Sequence, residues 1–138
     1  MPETSAERQL DGFLDKYSPA VRDLARRILA RMRKRLPRAW RLVYDNYNAL
    51  AIGFGPSDRA SEAIFSIAVY PRWVSLFFLQ GASLDDPAGI LRGSGRQVRH
   101  VVLSSEQVLD DPEILAMMER ALDRAGRPFD RATRGQLV

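Results

Sequence analysis

The middle of the chain carries several short apolar segments joined by short polar connections, and this pattern excludes most folds. The candidate strands span residues 40–44, 50–54, 63–70, 73–79 and 98–103. A parallel pair needs a crossover of a dozen or more residues, whereas only Pro71 and Arg72 separate the third candidate strand from the fourth. The sequence therefore predicts a mainly antiparallel sheet of about five strands.

Amphipathic helices are predicted on both sides of these strands. Apolar residues recur at helical spacing over residues 5–16, and again from Pro19 up to Pro37. Asp111-Pro112 is typical of a helix start, and Gly126 of a helix end. Asp86-Pro87 predicts a further short helix over residues 86–91. Helices followed by strands and then a helix predict an α+β fold, with helices packed on one face of the sheet.

Length and composition limit the class of protein. A chain of 138 residues suits one domain, which we place at residues 1–138, with a core of about 10–125 and a loose tail at 127–138. The absence of cysteine excludes disulfides and thiolate chemistry. No apolar run is typical of a signal peptide or a membrane span, so we expect a cytoplasmic protein with no membrane partner. The net charge of +4 allows an anionic partner, and the oligomeric state stays open.

Three stretches carry a resemblance to a known family. They are Val43 to Leu50, Tyr70-Pro71-Arg72-Trp73, and Gly93 to His100. Over residues 10–125 the chain resembles the YdhG-like family, domain of unknown function 1801, although many relatives have Tyr-Gly-Met-Pro where this chain has Tyr44-Asp45-Asn46-Tyr47. The resemblance implies a curved antiparallel sheet with helices on one face. Some relatives resemble frataxin, which implies iron as an alternative cofactor and an iron-chaperone role as an alternative function.

The glycine-rich stretch before the last strand is the sharpest candidate site. Gly93 and Gly95 let backbone amides approach a ligand, and Arg96, Arg99 and His100 add positive charge and donors, which suits a phosphate or carboxylate. Arg99 and His100 must point to opposite faces of a strand, so at most one of them joins Arg96. The alternative is a connecting loop with a surface arginine and a structural histidine.

A polar cluster between the first two strands is the second part of this hypothesis. Tyr44 and Asn46 offer hydroxyl and amide groups that can shape a small-ligand pocket. The equal alternative is a turn, because Asn and Asp are good turn residues. If the polar cluster lines a pocket, we expect Tyr44 to close the anion site from a neighbouring strand.

Carboxylates of the first predicted helix give a weaker alternative site. Glu7, Asp11 and Asp15, preceded by Glu3, recur every four residues and offer the hard oxygen ligands that iron accepts. We favour a solvated face neutralised by arginines, and no metal.

The second predicted helix is densely basic, which allows a weak nucleic-acid binder. Its cations are Arg22, Arg26, Arg27, Arg31, Arg33, Lys34 and Arg35. No nucleic-acid motif accompanies them, so we prefer pairing with the carboxylates of the first helix. Nothing joins a nucleophile to a base, which argues against an enzyme. The sequence therefore predicts a binding domain for a small anionic ligand or a protein partner.

Overall fold

The structure, a computed structural model, describes residues 5–45 and 49–126. The helices are α1 (Ser5–Leu14), α2 (Pro19–Arg35) and α3 (Pro112–Ala125). The strands are β1 (Trp40–Asp45), β2 (Leu50–Gly55), β3 (Phe65–Val69), β4 (Val74–Phe78) and β5 (Arg99–Val102). The predicted α+β class with an antiparallel sheet of five strands is confirmed.

Each strand of the sheet pairs with its neighbour in chain order. The order is β1-β2-β3-β4-β5, and all four pairings are antiparallel. The register places Ile52 opposite Ile67, Ile67 opposite Leu76, and Leu76 opposite Val101. Facing residues share a side of the sheet, so these four point to the same face, and β1 and β5 form the two edges.

The core lies between that face and the helices. The strand residues of the main buried cluster are Leu50, Ile52, Phe54, Phe65, Ile67, Val69, Val74, Leu76 and Phe78. They pack with residues from all three helices, among them Leu14, Ile28 and Met118. Burying each large apolar side chain contributes about 1.5–3 kcal/mol, so this contact dominates the stability. Tyr17 adds a hydrogen bond from its hydroxyl to the Val69 carbonyl, at 3.1 Å.

Most arginines of α2 are held in ion pairs. Arg31 pairs with Glu106 and Asp110 of the 3-10 turn Glu106–Asp110. Arg35 pairs with Asp110 at 3.0 Å and donates to the Leu109 carbonyl at 2.7 Å. The hydrogen bond from Arg31 holds the pKa of Asp110 below its usual value. The basic face of α2 is therefore largely neutralised within the molecule.

One local prediction is wrong. Residues 86–91 form a turn and loop instead of a short helix, because the Asp86 carboxylate accepts from the amides of Ile90 and Leu91, and Gly89 has a φ of 66°. Those bonds close a loop around the carboxylate. Ser18 is the N-cap residue of α2 and Pro19 is its first residue, although the Ser18 side chain makes no capping hydrogen bond. The predicted loose tail at 127–138 lies outside the described residues.

Gly81 lets β5 dock against the segment that follows β4. A Cβ at this position would lie 2.6 Å from the Cβ of Arg99 and 3.0 Å from its backbone nitrogen. We expect Gly81→Ala to lower the free energy of unfolding by about 1–3 kcal/mol, because β5 must shift. Gly12→Ala in α1 is the control: nothing lies near its Cβ, so it should raise stability by about 0.5–1 kcal/mol. Urea unfolding of both variants tests this, and an unchanged Gly81→Ala would contradict it.

Candidate functional site

The sheet has a second face, turned away from the helices, which we call the outer face. Because side chains alternate along a strand, the residues between the core positions point there. One row across the sheet holds Tyr44, Ala51, Ala68, Ser75 and Val102, and the next holds Leu42, Gly53, Ser66, Phe77 and His100. Leu42 and Ala68 are buried yet do not belong to the core cluster. The outer face thus has small residues at its centre and larger ones towards its edges.

An arginine extends the second row beyond β5. Arg92 forms a β-bridge with His100, with a hydrogen bond of 2.9 Å in each direction. Bridge partners share a face, so Arg92 lies on the outer face beside His100. The imidazole of His100 stacks on Phe77, with 5.1 Å between ring centroids and 27° between planes. The exposed Arg92 guanidinium has no ion pair or hydrogen bond with the described residues.

The glycine-rich loop connects Arg92 to β5. Gly93 has a φ of 114°, and a Cβ there would lie 3.7 Å from Nδ1 of His100. This part of the loop therefore lies against the histidine ring, where a larger residue would be strained. Gly95 has open space around it. Arg96 is exposed, and no other group in the described ranges pairs with it.

Arg99 points away from this cluster. It faces Phe78, on the core side, whereas His100 faces Phe77, which is the opposite orientation predicted for these neighbours. The Arg99 guanidinium donates to the carbonyls of Gly95 and Val98. These two hydrogen bonds hold the loop together, so the Arg99 guanidinium is not available to a ligand beside Arg96.

Tyr44 lies far from the glycine-rich loop. It is on β1, at the opposite edge of the sheet from β5. Four strand spacings of about 4.8 Å separate the two edges by roughly 19 Å. The hypothesis that Tyr44 closes the anion site from a neighbouring strand is therefore wrong, because the strands follow one another in chain order. Asn46 lies outside the described residues.

The carboxylates of the alternative iron site are engaged by arginines. Arg26 lies 2.9 Å from Asp15 and 3.9 Å from Asp11. Arg33 lies 3.5 Å from Glu7. Within residues 5–45 and 49–126, no three His, Asp or Glu side chains are grouped so that they could hold a metal ion. The structure confirms the predicted ion pairs between arginines of α2 and carboxylates of α1. Glu106 and Asp110 of the 3-10 turn are further partners of the α2 arginines.

Ser75 is an exception to the usual pairing of buried polar groups. It lies on the outer face between Ala68 and Val102, is fully buried, and its Oγ has no hydrogen-bond partner. Leaving a buried hydroxyl unpaired costs about 1–3 kcal/mol. This burial could not be predicted, because serine is common on the solvent side of a strand.

A separate pocket of about 400 Å³ lies between α3 and the loop at residues 86–90. Ile90, Ala116 and Met117 give it an apolar lining, and Asp86 and Arg120 also border it. Both Asp86 oxygens already accept backbone amides, and none of the residues predicted to bind a ligand lines the pocket. It therefore adds nothing to the cluster at β5.

Comparison with protein-family models, curated proteins and solved structures gave no match to this chain. Among the described helices, none is both long and apolar enough to cross a membrane. The candidate site therefore has to be described from the geometry of this chain alone. The structure brings Gly93 against His100 and adds Arg92 and Phe77, whereas the Gly95 carbonyl is held by Arg99, which points to the other side of β5. Arg96 follows Gly95 in the exposed loop.

We expect Ser75→Ala to raise the free energy of unfolding by about 1 kcal/mol, because it removes a buried hydroxyl that has no partner. Ser66→Ala is the matched control: Ser66 is an outer-face serine on the neighbouring strand, one row away from Ser75, and it is only half-buried. It should change stability by less than about 0.5 kcal/mol. Chemical denaturation measures both. A loss of 1 kcal/mol or more in Ser75→Ala, on the order of one hydrogen bond, would show that the hydroxyl is paired.

Proposed function

We propose that this chain is a binding domain for a small anionic ligand, held where the glycine-rich loop meets the outer face. The observation that supports this most is the pair of exposed, unpaired guanidinium groups of Arg92 and Arg96 on either side of Gly93. The arginines of α2 provide the contrast, because Arg26, Arg31 and Arg35 each have a carboxylate within 3.0 Å.

The chemistry of the cluster suits an oxyanion. A guanidinium offers a planar fork of donors that matches a phosphate or carboxylate. The His100 ring lies between the Arg92 backbone and Phe77 and can add an imidazole donor. Gly93 and Gly95 keep side-chain bulk away from the approach. We also propose that the chain belongs to the YdhG-like family, and only the three motif stretches of the sequence support this.

No observation favours the two alternative functions at their predicted sites. The carboxylates needed for iron are paired with Arg26 and Arg33, and those pairs would have to open before a cation could bind. The arginines of α2 needed for nucleic acid are largely paired with Glu106 and Asp110.

We expect inorganic phosphate or a small carboxylate to raise the melting temperature of the wild type, and Arg96→Ala or Arg92→Ala to weaken that binding. Loss of one charge-assisted contact costs about 1.5–3 kcal/mol, or roughly ten- to a hundredfold in affinity. Arg38→Ala is the matched control, since Arg38 is also exposed but lies before β1 at the far edge. Isothermal titration calorimetry measures the affinities.

Two results would contradict the proposal. One is a wild type whose melting temperature no phosphate or carboxylate raises at millimolar concentration. The other is an anion whose affinity falls equally in Arg96→Ala and Arg38→Ala, because that would indicate a response to net charge and not to this site.

A further inference from the structure

The outer face exposes apolar side chains in a way that the proposed anion site does not require. Of the five exposed large hydrophobic residues in the described ranges, Leu115 lies on α3. The other four are Tyr44, Trp73, Val98 and Val102. Tyr44 and Val102 are outer-face positions by their register, and strand alternation places Trp73 and Val98 on the same side. Four of the five exposed large apolar side chains thus lie on one face of the sheet, and apolar groups concentrated on one face mark interaction surfaces.

Two aromatic stacks stand on this face. Tyr70 and Trp73 stack at 4.8 Å with 23° between their planes, and Phe77 and His100 stack at 5.1 Å. Trp73 directly precedes β4 and lies four residues before Phe77, so the backbone positions of the two residues are about 13 Å apart. Only the small side chain of Ser75 projects between them on that strand. The surface therefore offers two separate places where a flat ring can stack.

The charge of the same surface is positive. Arg92 lies at the end with Phe77 and His100, Arg96 follows in the adjoining glycine-rich loop, and Arg72 precedes Trp73 at the other end. All three are exposed and have no ion pair with the described residues. The only acidic residue within the five strands, Asp45, faces Leu50 and so points to the core side. A surface that combines exposed arginines with two aromatic stacks suits an anionic partner that carries several flat rings.

We propose that the outer face binds a short single-stranded nucleic acid. Its phosphates would contact Arg72, Arg92 and Arg96, and its bases would stack on the two aromatic pairs. This rests on the proposed function, because the phosphate is the anion of that site. A mononucleotide has one base and would use one stack. A second copy of this chain would bring the same exposed arginines, and like charges would oppose that contact.

The first test is fluorescence anisotropy with a labelled oligothymidylate of about 8 nucleotides, a length within the known range for sheet-surface sites. Trp73→Ala should weaken binding roughly 5- to 150-fold, the effect of losing one base–aromatic stack. Trp73→Phe should restore most of the affinity. Leu115→Ala is the matched control, because it removes an exposed apolar side chain from α3, and it should bind like the wild type.

The second test is the salt dependence of the same binding. Three phosphate contacts predict a slope of about −2 for the logarithm of the association constant against that of salt concentration. Arg72→Ala should make this slope shallower by roughly 0.7. Arg72 lies outside the glycine-rich loop, so phosphate binding at Arg96 should not change.

The outcomes separate the two proposals. If phosphate binds in an Arg96-dependent manner but the oligonucleotide does not bind, this inference fails and the proposed function stands. If neither binds, both fail. Oligonucleotide binding that is equal in wild type and Trp73→Ala overturns the inference, as does Trp73-dependent binding of an acidic peptide with no binding of the oligonucleotide. Melting temperatures of all variants must stay near that of the wild type for these results to count in its favour.

Discussion

The packing of one sheet face against the helices determines everything else in this molecule. Leu50, Ile67 and Leu76 point into the core because the helices cover that side. Strand alternation then sends every second residue to the opposite face. A slip of one residue in any strand would exchange the two sets and expose the core. The burial of the apolar face therefore also decides which residues a ligand can meet.

The edge strand β5 is held in place by two close contacts. Gly81 admits the backbone of Arg99, and the bridge between Arg92 and His100 holds the far side of the strand. Arg99 then ties the loop to itself through the carbonyls of Gly95 and Val98. One structural arginine thus holds together a loop that presents the exposed Arg96, which has no ion pair with any residue in 5–45 and 49–126.

The sequence allowed the fold to be predicted, since strand spacing and helical periodicity are local properties. The alternation of side chains along a strand also allowed the opposite orientations of Arg99 and His100 to be predicted. Distances between elements could not be predicted, which is why Tyr44 was expected near a loop that lies four strands away. Arg92 was missed for the same reason, because only pairing across the loop places it beside His100. Glu106 and Asp110 could not be predicted as ion-pair partners of α2 either, because their position depends on how the 3-10 turn packs.

We propose that a ligand contacts the outer face and not the basic helix α2. Amide chemical-shift mapping by NMR during titration with oligothymidylate observes both surfaces in one experiment. The account predicts that the largest shifts fall at residues 72–77 and 92–102, and that α2 changes little. Shifts concentrated on α2, with the amides of Trp73, Phe77 and His100 unmoved, would contradict it.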